Sequence, residues 1–244
     1  MPPAIRLERV GKRFGQVDAL GDVSFEIAAG SAFGLAGVNG AGKTTLIKCV
    51  LDLTSASTGR IEIFGLPSEL PAARARLAFL PERFTPPHYL DGRGFLAMMA
   101  GLRHRRFAEA AALDVLAMLD LDAAALSRPT RTYSKGMTQK LGLAACFLAE
   151  PDLIILDEPM TGLDPKARAS VKRALARFRG QGRTLFMTTH ALADIDEICD
   201  SMAILDGGHL RYAGSPAQLR EEAGAASLED AFLKWIAAPV TIGS

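Results

Sequence analysis

Cysteine is scarce in this sequence, and long apolar runs are missing. Only Cys49, Cys146 and Cys199 occur in 244 residues, far apart among apolar neighbours. Their spacing matches no metal site, so we expect buried free thiols in a reducing compartment. No charged-then-apolar leader opens the chain, and no run of about 18 apolar residues could span a bilayer. We therefore expect a protein that is soluble by itself in a reducing cytoplasm, so any membrane role must come through a partner.

An excess of charge of one sign is also missing. Lys and Arg number 28 against 27 Asp and Glu, which gives a net charge of +1. A protein that follows a nucleic-acid backbone usually shows a basic excess or a long basic stripe. The densest basic stretch here is the short segment 103–106, typical of a solvated helix face. We expect no nucleic-acid partner.

The sequence does contain enough apolar residues, 49%, for one large domain or a domain with an inserted lobe. Alternating or short continuous apolar patterns predict strands, and spacing by three and four predicts helices. The predicted strands cover residues 5–10, 23–27, 32–36, 61–64, 77–80, 153–156, 184–188, 202–205 and 210–213. The predicted helices include residues 43–51, 139–148, 165–179 and 191–199, with two short helices opening at Ser215 and Ser227.

Between residues 84 and 150 the strand patterns disappear, and the chain becomes rich in Ala, Leu and Met at helical spacing. We read 84–150 as a helical subdomain inserted between two parts of an α/β core, 1–83 and 151–222. Residues 223–244 are predicted to form a short helical tail.

A glycine-rich stretch matches the pattern G-x-x-x-x-G-K-[ST] in full, between a predicted strand and a predicted helix. Its glycines allow successive backbone N–H groups to point at an anion. Lys43 would reach the β- and γ-phosphates of a nucleotide, and the Thr44 hydroxyl would bind Mg²⁺. The alternative is an ordinary glycine-rich turn. The candidate nucleotide-binding residues here are Gly37, Val38, Asn39, Gly40, Ala41, Gly42, Lys43, Thr44 and Thr45.

Two acidic residues follow the continuous apolar run 153–156. Asp157 and Glu158 would stand at the carboxyl end of a buried strand, where open α/β sheets bind ligands. Asp157 suits a Mg²⁺ ligand, and Glu158 suits the acceptor of a proton from an attacking water. Two acids alone are a weak signal, more often a solvated loop, but with the phosphate loop they predict a nucleoside triphosphatase.

The order of the remaining motifs resembles the ATP-binding-cassette family over nearly the whole chain. The residues that carry the resemblance are Lys12-Arg-Phe14-Gly15, Tyr133-Ser-Lys-Gly-Met137, Gly162-Leu-Asp164-Pro165 and Thr188-Thr-His190. It implies an α/β fold, with a RecA-like phosphate-loop core whose mixed sheet has antiparallel N-terminal strands, and with an inserted α-helical subdomain. It also implies ATP and Mg²⁺ as cofactors, a second cassette subunit, and a multi-span membrane permease as partners.

The resemblance assigns roles to single residues, and each has a plainer alternative. Phe14 would stack on adenine, or it simply packs. Ser134 and Gly136 would bind the γ-phosphate held by the opposite subunit, or Ser134 only caps a helix. Asp164 would couple the two sites across the dimer, act as a helix cap, or do both. His190 would contact the γ-phosphate, or it is a structural histidine.

Three positions depart from the family pattern: Glu82, Lys135 and Met137, the last where glutamine is usual. Glu82 stands where a glutamine that binds Mg²⁺ is usual, which leaves its contact with the metal open. Lys135 stands in the signature loop 133–137 where glycine is usual, and it could supply a cation or point to solvent.

These departures, together with the stretch Tyr89-Leu-Asp-Gly-Arg-Gly-Phe-Leu96, look like the subgroup that energises ABC-2-type exporters, which favours ATP-driven export. The alternative function is a soluble ATPase of this type in an assembly or scaffold complex. The connector that follows Glu82, with Phe84, Pro86, Pro87 and Tyr89, is predicted to be exposed and to pass movement to a membrane subunit.

Overall fold

A single ten-stranded mixed sheet organises the structure, a computed structural model that describes residues 2–237. Across the sheet the strands run in the order β5-β4-β1-β2-β10-β9-β3-β8-β7-β6. The strands are β1 (Ile5–Phe14), β2 (Val17–Ile27), β3 (Ala32–Ala36), β4 (Thr58–Ile63), β5 (Leu66–Pro67), β6 (Leu77–Leu80), β7 (Leu153–Asp157), β8 (Thr184–Thr189), β9 (Ser201–Asp206) and β10 (His209–Gly214).

One half of the sheet is antiparallel. Strand β1 pairs antiparallel with both β2 and β4, and it starts with Ile5 opposite Ile27. It continues four residues beyond its predicted end because register shifts after Leu7 and Val10 interrupt the period-2 alternation on which the prediction relied. The predicted antiparallel N-terminal strands are confirmed.

The other half is parallel and buried. Strands β6, β7, β8, β3 and β9 pair in parallel, with Asp157 opposite Thr188 and Ala36 opposite Thr189. Every residue of β3, β7 and β8 is buried, which explains the continuous apolar runs of β3 and β7. The carboxyl ends of β3, β7 and β8 therefore meet at one edge, where the segments carrying the candidate site residues begin.

Nine α-helices lie among the described residues. They are α1 (Lys43–Val50), α2 (Pro71–Arg74), α3 (Gly92–Leu102), α4 (Glu109–Met118), α5 (Lys135–Leu148), α6 (Pro165–Arg179), α7 (Leu192–Ile198), α8 (Pro216–Ala223) and α9 (Leu228–Ala237), with 3₁₀ turns at Ala123–Ser127 and Thr130–Thr132.

Helix α5 joins the helical region, residues 84–150, to the sheet. It begins four residues earlier than predicted, at Lys135, because the Ser134 side chain accepts a hydrogen bond from the Met137 N–H and caps it. Gly142 allows close packing, since a Cβ there would lie 2.6 Å from a methyl group of Leu80 in β6. Most of α5 is buried, so the helical region and the sheet share one core.

Helix α6 has the predicted bounds, with Asp164 as its N-cap and Pro165 in its first turn. The predicted buried free thiols are also found, since all three cysteines are buried and unpaired. No helix within 2–237 is long and apolar enough to cross a membrane. Part of the predicted tail 223–244 forms α9, and residues 238–244 lie outside the described residues.

Candidate functional site

The phosphate loop links buried strand β3 to helix α1. Gly40 and Gly42 have φ values of 84° and 105°, the left-handed region that favours glycine. Gly37 is needed for a different reason, because a Cβ there would lie 2.4 Å from the carbonyl oxygen of Leu205 in β9. The backbone thus curls against the neighbouring strand, and α1 opens with its N-terminus at the loop.

Lys43 lies inside this loop and is only 7% exposed. Its Nζ donates a hydrogen bond of 2.6 Å to the carbonyl oxygen of Gly37 and lies 3.6 Å from Oε1 of Glu158. The ammonium group is therefore held at the centre of the loop and faces the carboxylate at the end of β7.

Asp157 is 2% exposed and accepts hydrogen bonds on both carboxylate oxygens. The Thr44 hydroxyl donates to Oδ2 at 3.0 Å, and the Thr188 hydroxyl donates to Oδ1 at 2.6 Å. Hydroxyl and carboxylate oxygens are ligands that Mg²⁺ prefers. Within 2–237 no cluster of three or more His, Cys, Asp or Glu could hold a metal by itself. Thr44 and Asp157 together fit Mg²⁺, which usually completes its coordination shell with phosphate oxygens and water.

Glu158 is 8% exposed, and its backbone adopts a φ of 50°. Its N–H donates to the Thr188 hydroxyl at 3.0 Å, so one threonine holds both acidic residues. Oε2 lies 2.8 Å from Nδ1 of His190 and accepts a hydrogen bond of 3.1 Å from the Thr161 hydroxyl. The carboxylate is thus fixed in one orientation beside Lys43.

The phosphate loop, Glu158 and His190 line a cleft of 630 Å³. Its lining residues are Val17, Asp18, Ala19, Val38, Asn39, Gly40, Ala41, Gly42, Lys43, Thr44, Thr45, Glu82, Glu158, Thr161, His190, Gly207 and Gly208. Glu82 therefore does stand at the cleft, where it is exposed to solvent.

Sequence reasoning missed several residues of this cleft. Thr161 lines the cleft but bears an ordinary hydroxyl group and carries no motif of its own. Thr188 belongs to the segment Thr188-Thr-His190, but its hydrogen bonds to Asp157 and Glu158 were not predicted. Gly207 and Gly208 lie between the predicted strands 202–205 and 210–213, and no role in the cleft was predicted for them. Gly208 donates its N–H to the carbonyl oxygen of Ala41 in the phosphate loop, and this long-range contact leaves no local signal.

Phe14 lies at the end of β1, next to the cleft. It pairs with Val17, which lines the cleft, and its side chain is 50% exposed. The Nζ of Lys12 lies 4.7 Å from the centroid of its ring. The residue is thus half-exposed beside the cleft, where its ring could stack on a base.

Ser134, Gly136 and Asp164 do not line the cleft of their own chain. The Ser134 and Asp164 side chains accept hydrogen bonds from the first turns of α5 and α6, so both act as the helix caps that the plainer alternative predicted. Lys135 does not line this cleft, and it is exposed to solvent. Its side chain lies across Gly162, where a Cβ would be 2.2 Å from the lysine Nζ.

The connector after Glu82 is only partly exposed, which corrects the sequence-based expectation. Phe84 packs against Phe95 with ring centroids 5.5 Å apart, and Pro86 is buried. Tyr89, by contrast, is 83% exposed. Proline and aromatic residues in a loop indicated exposure, but Phe84 packs on Phe95 of α3 and Pro86 is buried.

Comparison with known proteins finds relatives that are described as ATP-binding proteins. A relative from Synechocystis sp., an uncharacterized ABC transporter ATP-binding protein, is 38% identical over 84% of this chain, which spans 58% of that protein's length. A daunorubicin resistance ATP-binding protein of Streptomyces coeruleorubidus is 36% identical over 91% of this chain and 71% of its own length. A Nod factor export ATP-binding protein I of Rhizobium leguminosarum bv. viciae is 35% identical over 91% of this chain and 72% of its own length.

Solved structures agree with the fold. The ATP-binding subunit of an ABC transporter superposes with a TM-score of 0.87 at 29% identity, covering 96% of this chain and 99% of that one. The family model described as ABC transporter matches residues 20–161, more than half of the chain. The chain therefore belongs to the ABC transporter family, as an ATP-binding cassette with ATPase activity.

Proposed function

We propose that two such cassettes close head to tail around two ATP molecules with Mg²⁺ and drive export through a partner membrane permease. One observation carries the proposal: at one sheet edge Lys43 contacts Glu158, Glu158 contacts His190, and Thr44 contacts Asp157. Backbone N–H groups of the loop and the Lys43 ammonium would surround the β- and γ-phosphates. Thr44 and Asp157 would hold Mg²⁺, which neutralises phosphate charge as it develops.

Glu158 is proposed to accept the proton of the water that attacks the γ-phosphorus. Its carboxylate is held by Thr161 and His190 on one oxygen and faces Lys43 with the other. His190 is 58% exposed at its side chain, so it can contact the γ-phosphate while it orients Glu158. Glu82, at the rim of the same cleft, adds negative charge beside the phosphates.

The second copy of the cassette supplies Ser134 and Gly136. In one chain these residues lie outside the cleft, at the N-terminus of α5, where backbone N–H groups favour an anion. We therefore propose that ATP joins the phosphate loop of one copy to the signature loop of the other, with Asp164 beside the contact. ATP shifts the pair toward the closed state, and hydrolysis releases it.

Export is supported by relatives whose names refer to Nod factor export and daunorubicin resistance. We propose that the helical subdomain 84–150 passes the movement to the permease through the exposed ring of Tyr89. The protein would then lie on the cytoplasmic face of the membrane, held there by its permease.

Recovery of the tagged chain from detergent-solubilised membranes tests this assignment. A multi-span membrane protein should copurify, and Tyr89→Ala should reduce its recovery, whereas Leu102→Ala, a change at another exposed residue of the helical region, should not. Recovery only in a soluble complex would instead support an ATPase of an assembly scaffold.

The proposed role of Glu158 in ATP hydrolysis has a separate test. Glu158→Gln should retain ATP binding, abolish turnover and accumulate a closed dimer, because the amide keeps the shape but cannot take the proton. Undiminished hydrolysis would remove Glu158 as the base.

A further inference from the structure

Helix α5 contacts the segment that follows Glu158 through a buried amide. Gln139 is 7% exposed, and its Nε2 donates a hydrogen bond of 3.0 Å to the carbonyl oxygen of Pro159. Only the NH₂ end of the amide can donate to a carbonyl, which fixes the orientation of the side chain. A buried carbonyl that loses such a donor is left without its partner, so the contact has a strong effect on the local backbone.

The backbone around Glu158 needs this support. A φ of 50° is sparsely populated by residues with a side chain, and it persists only where the surroundings impose it. The N–H of Glu158 is held by Thr188 in β8, whereas the carbonyl of the next residue is held by Gln139 in α5. The two sides of the candidate base are thus fixed by different parts of the molecule, the sheet and the helical region.

A second contact, made by the exposed side chain of Lys135, lies at the other end of the same segment. Lys135, one helical turn before Gln139, lies across Gly162, and residues four apart on a helix share a face. One face of α5 therefore contacts residues 159 and 162, so a displacement of α5 also displaces the loop that begins at Glu158.

We propose that Gln139 is a positioning residue for Glu158. The position of the Glu158 carboxylate then depends on the position of α5. The inference rests on the proposed role of Glu158. In this arrangement, movement of the helical region on dimer closure brings Ser134 to the nucleotide bound by the partner. The same movement places the Glu158 carboxylate of the moving chain in position for hydrolysis.

Gln139→Met tests the proposal, because methionine keeps the size and flexibility of the side chain but cannot donate. A base misplaced by about 1 Å can lower a rate by roughly 100-fold, so kcat for ATP should fall about 10- to 100-fold while KM stays within about twofold. The matched control is Thr130→Val, which removes a buried hydroxyl that donates to the carbonyl oxygens of Pro87 and Leu90, away from the site. It should leave kcat within about twofold. Unchanged kcat in Gln139→Met, or an equal loss in Thr130→Val, would overturn the proposal.

Gln139→Glu supplies a pH signature that a purely structural role would not give. An introduced carboxyl can donate to the Pro159 carbonyl only when protonated, and burial raises its pKa. The activity of this variant relative to the wild type should therefore rise as pH falls. A ratio that stays flat or declines toward low pH contradicts the inference.

Glu158→Gln, assayed in parallel, distinguishes failure of the proposed role of Glu158 from failure of the proposed role of Gln139. If that variant still hydrolyses ATP, the proposed function of Glu158 fails. If it is inactive while Gln139→Met retains full kcat, only the role of Gln139 fails.

Discussion

The Thr188 hydroxyl donates a 2.6 Å hydrogen bond to Oδ1 of Asp157, and it accepts the N–H of Glu158 at 3.0 Å. Both threonine and aspartate are buried, and their strands pair directly at this point. A single hydroxyl thus orients the proposed Mg²⁺ ligand and the proposed base. The cleft depends on this pairing as much as on its recognisable motifs.

Thr188→Val should weaken Mg²⁺-dependent ATP hydrolysis, because the second carboxylate oxygen of Asp157 loses its donor. Loss of a partner of a metal ligand lowers metal affinity by about tenfold or more. A titration of ATPase activity with Mg²⁺ measures this shift.

The control for that change is Thr184→Val at the other end of β8, where the hydroxyl accepts the Gly30 N–H far from the cleft. The Mg²⁺ dependence of this variant should match that of the wild type. An equal shift in both variants would mean that general loss of stability explains the effect.

A mixing experiment tests the composite site of the dimer. Lys43→Ala and Ser134→Arg should each be inactive alone, but a heterodimer of the two retains one site with both loops intact. Random pairing makes about half of the dimers heterodimers, so an equal mixture should recover up to about one quarter of the wild-type activity.

The mixture of Lys43→Ala with Glu158→Gln is its control. Both changes lie on the phosphate-loop side of the site, so every site in that heterodimer is damaged and no activity should return. Recovery in this control, or none in the first mixture, contradicts a site shared between copies.

Phe14→Ala should weaken ATP binding about tenfold if the half-exposed ring stacks on a base, since such stacking contributes about 1–3 kcal/mol. Phe14→Tyr keeps the aromatic face and should bind ATP as the wild type does. Fluorescence titration with labelled ATP measures both dissociation constants, and equal affinity in Phe14→Ala would make Phe14 a packing residue only.

The cysteines should resist thiol reagents in the folded protein. Burial raises the pKa of the Cys146 and Cys199 thiols to about 12, and it raises the pKa of Cys49 as well. Near pH 8 almost no thiolate is present, so alkylation followed by mass spectrometry should find these residues unmodified until guanidinium unfolds the chain. Rapid native labelling of any of them would contradict the observed burial.

The sequence by itself determined the parts of this protein that depend on local pattern. The phosphate loop, the strand that ends in Asp157 and the capped helix α6 follow from residue spacing and backbone preference, which act within a few positions. The family could also be recognised from the order of its motifs.

The tertiary structure decided the parts that depend on contact between distant segments. It brings Thr188 to Asp157, Gly208 to the phosphate loop and Gln139 to Pro159, and it covers Pro86. Each of these contacts joins separate elements, so no local pattern encodes it. A hydroxyl or an amide has many possible partners in a sequence, and only the paired strands and the packing of α5 select one.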